Sequence, residues 1–168
     1  SKMNKIIEID KSNLTVLVES GLILDNLKEY LDKEDLYFPI NLSSSGSCMI
    51  GGNIATNAGG INALKYGTMK DKMITGNGTL LSSLSKMKKN NTGYDLKSLV
   101  SSSEGTLGMI TKALLKIYPK PSDNFTFFVA YENLHSSIES FKQIRNLFFD
   151  KLESAELIPN YSFEVCLK

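Results

Sequence analysis

Five glycines fall in the run GSCMIGGNIATNAGG, at Gly46, Gly51, Gly52, Gly59 and Gly60. Glycine lets a backbone take positive φ and come close to a ligand. Successive backbone N–H groups then form an anion-binding concavity suited to a pyrophosphate. Ser47, Asn53, Thr56 and Asn57 add neutral hydrogen bonds, and Ile50, Ile54 and Ala55 offer apolar contact to a flat ring. The run is neither a Walker loop, since no Gly-Lys-Ser/Thr occurs, nor the GxGxxG dinucleotide fingerprint. On glycine content alone, a tight set of turns needed for packing is the simpler reading. A cradle for a large, phosphate-bearing cofactor is the competing one.

A second, shorter loop is EGTLGMIT, from Glu104 to Thr111. Its glycines, Gly105 and Gly108, again allow close backbone approach, and Glu104 can accept from a ribose hydroxyl or cap a turn. In isolation this loop reads as a strand-entry turn. Other chemistry is thinly supplied. The only histidine is His135, so a His-based metal cluster or a Ser-His-Asp triad cannot be built from this chain alone. Cys48 and Cys166 match no metal or redox spacing and read as two reduced thiols.

The elements around these loops follow from periodicity. Residues 6–10 and 15–20 are β-branched, apolar runs joined by Lys11-Ser12-Asn13, a β-hairpin or two adjacent strands. Leu24, Leu27, Tyr30 and Leu31 recur at helical spacing and predict an amphipathic helix over 23–33. Residues 41–67 have no periodicity, and a segment that long without structure of its own is usually functional. Residues 72–75 and 79–81, around Gly76-Asn77-Gly78, predict a short hairpin. A short helix is expected at 96–100 and a strand at 109–118, ended by Pro119 and Pro121. Beyond Pro121 come an aromatic strand at 125–131 and a helix marked by Ile138, Phe141, Ile144, Phe148 and Leu152. Ser136 and Glu139 are spaced as its capping box. Residues 154–168 read as a further strand or a strand-loop-helix start.

Composition bounds the function class. The chain has 168 residues, 42% of them hydrophobic, and a formal net charge of +1. That is a globular composition, long enough for one real core, and it gives no charge-driven attraction to nucleic acid or a membrane surface. No apolar run is long enough for a transmembrane segment, so the expected location is cytoplasmic or membrane-peripheral.

Three segments together carry a family resemblance: FPINLSSSGSCMIGGNIATNAGGINALKYGT, then NNTGYDLKSL, then SEGTLGMITKALLKIYPKP. In this order they resemble the FAD-linked oxidases of the vanillyl-alcohol-oxidase type, in the D-lactate, glycolate and D-2-hydroxyglutarate dehydrogenase branch. The resemblance implies an α+β fold: the second subdomain of a PCMH-type FAD-binding domain over 1–121, then the start of a ferredoxin-like cap domain over 122–168. It implies FAD as cofactor and hydride transfer from a small-molecule D-2-hydroxy acid to the flavin. Cofactor contacts are then expected from Ser43, Gly46, Ser47, Cys48, Met49, Gly51, Gly52, Asn53, Thr56, Asn57, Ala58 and Gly59. Glu104, Gly105, Gly108, Met109 and Ile110 are expected on the adenosine side. No catalytic residue and no metal ligand is assigned within the chain.

The same resemblance predicts what differs. The first FAD subdomain and the substrate-holding part of the cap are not among these residues. The segment KDKMITGNGTLLSS is shorter than its counterparts by about one strand, ~5–6 residues. Ser102 stands where relatives have glycine. Three functions compete on this basis: one piece of a split flavoenzyme that assembles with separately encoded N- and C-terminal pieces, a non-catalytic remnant that binds FAD weakly or not at all, and an interaction module using the Phe141 and Phe148 face.

Overall fold

The computed structural model describes residues 2–73 and 96–166. Strands β1 (Ile6–Asp10) and β2 (Thr15–Glu19) form the expected antiparallel hairpin. The Asp10 carboxylate closes its turn, accepting from the Asn13 backbone N–H and side-chain amide, each at 2.9 Å. Helix α1 (Leu24–Asp32) follows and buries Leu24, Leu27 and Leu31 completely. Burying each such leucine contributes roughly 1.5–3 kcal/mol.

Strand β3 (Leu36–Tyr37) leads into residues 41–67, which are not structureless. They contain α2 (Ile50–Ala55) and α3 (Ala63–Tyr66), with α4 (Met69–Lys72) just after. Two glycines at the start of α2 hide its helical character in the sequence. It forms because Ile50 and Ile54, one turn apart, both reach the core. The Ile50 and Gly51 N–H groups also donate to Leu22 and Ser20 carbonyls at 2.9 and 2.7 Å.

Helix α5 (Leu96–Val100) lies where expected. Strand β4 (Lys112–Lys116) pairs antiparallel with β2, from Thr15 opposite Lys116 to Glu19 opposite Lys112. The sheet order is β1-β2-β4, and β5 (Tyr118–Pro119) pairs with β3 in a second, two-stranded ribbon. One core joins them: Val16, Val18, the α1 leucines, Phe38, Ile40, Ile50, Ile54, Met69, Leu115 and Ile117. The fold class is α+β, as expected.

Several elements differ from expectation. The strand predicted over 109–118 begins only at Lys112, and Met109 before it is 87% exposed. Lys72 ends helix α4 rather than starting a strand, although Met73 makes an antiparallel bridge to Leu115. The rest of the predicted hairpin, and the shortened segment with it, lies outside the described residues. Residues 125–131 form no strand, and Phe125, Phe127 and Phe128 are exposed. A strand needs a neighbour for its backbone groups, and none is present among the described residues. Helix α6 (Leu134–Leu147) starts earlier than its apolar periodicity: Asn133, not Ser136, is the cap, its Oδ1 accepting from the Ser136 N–H at 2.9 Å. The last element is helix α7 (Asn160–Cys166). His135 lies exposed in the first turn of α6.

Candidate functional site

The two glycine loops meet. The Glu104 N–H donates to the Ala55 carbonyl at 3.0 Å, and the Ser101 hydroxyl donates to the Ile54 carbonyl at 3.2 Å. Both acceptors lie at the C-terminal end of α2, where carbonyls lack helical partners. The second loop therefore caps the helix at the centre of the first. Ser101 is buried and was not singled out by sequence reasoning; its place in a serine run gave no signal.

The glycines divide into two kinds. A Cβ on Gly51 would lie 2.7 Å from the Ser20 Cβ. One on Gly60 (φ 76°) would meet the Asn41 carbonyl, a parallel bridge joining these two residues. On Gly59 it would touch Ala63 and Thr68 at 3.4 Å. Gly51 and Gly60 answer the packing reading, while Gly59 meets only van der Waals contact. Gly52, Gly105 and Gly108 face nothing within 4 Å among the described residues, and Gly46 has only Asp25 Oδ2 at 3.6 Å. At Gly52 and Gly108 neither packing among the described residues nor a left-handed φ requires glycine.

Most polar groups of the first loop are already bonded. The N–H groups of Ser45, Ser47, Cys48, Ile50, Gly51, Asn53, Thr56, Asn57 and Ala58 all donate within the chain. The Ser47 hydroxyl donates to the Ser44 carbonyl and the Thr56 hydroxyl to the Gly52 carbonyl. Buried Asn53 donates to Cys48 Sγ at 3.4 Å. Asn57, at φ 51°, accepts the Lys70 N–H at 2.9 Å. The expected concavity of free N–H groups is therefore largely filled by the chain's own carbonyls. What remains is an open surface of bare backbone, with Ser43, Gly46, Ser47, Met49 and Gly52 exposed. Cys48, Ala58 and Ile110 are half-buried against the core.

The second loop is conformationally costly. Ser102, Glu104 and Gly105 take φ of 69°, 49° and 83°, and the first two carry a Cβ that this region disfavours. Ser102, where glycine was expected, thus sits in a glycine conformation. Glu104 is exposed, and Met109 projects into solvent.

Asp25, whose N–H donates to the Ser45 carbonyl at 3.2 Å, and Lys28 lie beside the start of the first loop. Burial pushes the Lys28 ammonium pKa down, against the charges of Asp25 and Cys48. Lys28 donates to Asn41 Oδ1 at 3.3 Å and lines a cleft of about 340 Å³ with Glu29, Asp32, Leu36, Tyr37 and Phe38. None of the loop glycines lines that cleft. A tyrosine cluster lies beyond α3. Tyr66 meets Tyr37 and Tyr118 edge to face at 5.9 and 5.1 Å, over the buried Lys72 ammonium. Burial raises the Tyr37 and Tyr66 phenols. This cluster joins residues too far apart in sequence to be foreseen.

Comparison with known proteins agrees with this picture. The FAD binding domain family matches residues 1–83. The chain is 36% identical to the mitochondrial D-2-hydroxyglutarate dehydrogenase of Arabidopsis thaliana over 170 residues, covering 98% of this chain and 30% of that protein. It is 37% identical to the glycolate oxidase subunit GlcD of Bacillus subtilis, covering 84% of this chain and 31% of the relative. Among solved structures, alkyldihydroxyacetonephosphate synthase superposes with a TM-score of 0.68 at 24% identity, over 87% of this chain and 27% of that one. The chain thus spans about three-tenths of the length of the curated relatives it matches. Several relatives are mitochondrial by name, and no helix among the described residues is long and apolar enough to cross a membrane. Residues 1–83 belong to the FAD binding domain family, whose cofactor is FAD, and nearly the whole chain is similar to D-2-hydroxyglutarate dehydrogenases.

Proposed function

We propose that residues 1–121 form one wall of an FAD site in an oxidoreductase acting on a D-2-hydroxy acid, and that residues 122–168 begin the part that carries the substrate. The observation behind this reading is the pair of knitted loops whose Gly52 and Gly108 are glycine without a packing reason among the described residues. A bare surface of that kind accepts a flat ring at van der Waals distance. When bound, FAD supplies the two-electron acceptor for a hydride leaving the α-carbon. The residues here contribute orientation and exclusion of water. Gly46, Gly52, Gly105 and Gly108 give close approach, Met49 and Met109 give apolar cover, and Glu104 stands exposed for a ribose hydroxyl. Ser43 and Ser47 lie exposed on the same loop. Gly51, Asn53, Asn57, Ala58 and Gly59 act through the backbone they hold, and Thr56 through its bond to Gly52.

Because its loop N–H groups are spent internally, this wall fits the ring better than the pyrophosphate. The phosphate-binding groups and the substrate-binding groups then belong to the remaining length of such an enzyme, whether in one polypeptide or several. Purified alone, the 168 residues are expected to hold FAD weakly and to lack a stoichiometric yellow band. That band in the visible spectrum would overturn the one-wall reading. Gly52→Leu is expected to weaken an FAD fluorescence titration about tenfold, the scale of overfilling a contact, with an unchanged circular dichroism spectrum. Left-handed Ser102 supports the second reading, a remnant without turnover. Turnover of D-lactate, glycolate or D-2-hydroxyglutarate on adding the remaining parts of a relative would exclude it.

A further inference from the structure

We propose that Glu153 is a positioning residue: its carboxylate is the latch that sets residues 121–166 at a fixed orientation against helix α3, directly after the first glycine loop. Glu153 Oε1 accepts from Lys65 Nζ at 3.1 Å and from the Tyr66 hydroxyl at 3.0 Å. Both donors lie on α3, whose first N–H, that of Ala63, is bonded to the Gly60 carbonyl. The Lys65 and Glu153 side chains are only 27% and 20% exposed, so water screens the pair incompletely.

Among the described residues, little else fixes this junction. Apolar packing there is poor: Leu64, Leu147 and Phe149 are exposed, and a cleft of about 260 Å³ opens between α3 and the end of α6. Residues 121–131 form no strand that would tie the two parts together. Ser137 is the only buried residue described between 121 and 166, and its hydroxyl bonds within its own helix, to the Leu134 carbonyl. The other end of the latch is stiff, because the Tyr66 ring is wedged between Tyr37 of β3 and Tyr118 of β5. A carboxylate bonded to two donors on a fixed helix selects one arrangement, which neither an apolar patch nor a loose linker would do. In an enzyme of the proposed kind it would register the substrate-bearing part on the glycine wall.

The test needs no cofactor, so its failure is distinct from failure of FAD binding. Spin labels at Cys166 and at Ser12→Cys, in a Cys48→Ser background, report the distance between the two parts. The unaltered latch is expected to give one narrow distance distribution. Glu153→Gln is expected to raise the population of other arrangements about tenfold, the scale of a lost charge-assisted hydrogen bond. Tyr66→Phe is expected to raise it less and keeps the test usable if Glu153→Gln misfolds. Exchanging the partners, Lys65→Glu with Glu153→Lys, is expected to narrow the distribution again. An equally narrow distribution in Glu153→Gln and Tyr66→Phe would overturn the proposal, as would an exchange that restores nothing.

Discussion

Helices α1 and α6 carry the same kind of signal and meet different fates. In α1, Leu24, Leu27 and Leu31 are wholly buried under the β1-β2-β4 sheet. In α6, the longer helix, Leu134, Ile138 and Leu147 stay exposed. Amphipathic periodicity states which face of a helix seeks cover; only a second layer supplies it. Residues 15–117 contain their own second layer. Residues 121–166 do not, so their helices rest on caps and local bonds such as Asn133 to Ser136 and Glu139 to Lys142.

The sharpest way to break this comparison is a pair of truncations. Leu27→Ala is expected to cost about 3 kcal/mol in urea unfolding, as buried leucines do, and Leu147→Ala less than about 0.5 kcal/mol. Equal costs would mean that α6 is covered in solution. A second contrast lies inside the first glycine loop. Gly51→Ala, pressed on Ser20, is expected to destabilise by about 1–3 kcal/mol. Gly52→Ala, facing open space one residue along the same helix, is expected to stabilise by up to about 1 kcal/mol.

Ser102→Gly is next, expected to raise stability by about 1 kcal/mol by relieving a left-handed Cβ. A smaller effect concerns acid. Asp71 accepts from the Thr68 backbone N–H and hydroxyl, and the backbone bond foremost holds its carboxyl pKa below the ordinary 3.8. A depressed carboxylate pKa adds stability above the unfolded value and loses it as pH falls through the folded one. Stability from α4 is therefore expected to fade below about pH 4, and Asp71→Asn to flatten that part of the acid unfolding curve.

What the sequence disclosed followed how local each determinant is. The β1–β2 hairpin and α1 rest on patterns within a few residues, and both appear where expected. Helix α2 was hidden because its reasons to form, the Ser20 and Leu22 carbonyls, lie some thirty residues upstream. Residues 125–131 were read as a strand from their aromatic content, but a strand is a relation between two segments and its partner was not in view. At the site, the glycines were legible as residues and illegible as roles. Gly51 and Gly52 are adjacent and identical in type, yet only coordinates separate the one that packs from the one that faces open space. Ser102 was legible through a resemblance, and its φ supplies the physical reason.

The bonds from Ser101 and Glu104 to the end of α2 have one more consequence. They make two motifs 47 residues apart in the chain (Ile54 and Ser101) a single mechanical part. Each loop is anchored on the other and on residues 20–22 just beyond strand β2, and the first is tied as well to the start of α4 through Asn57 and Ala58. A change at the end of α2 is therefore felt in both loops at once, through the carbonyls of Ile54 and Ala55.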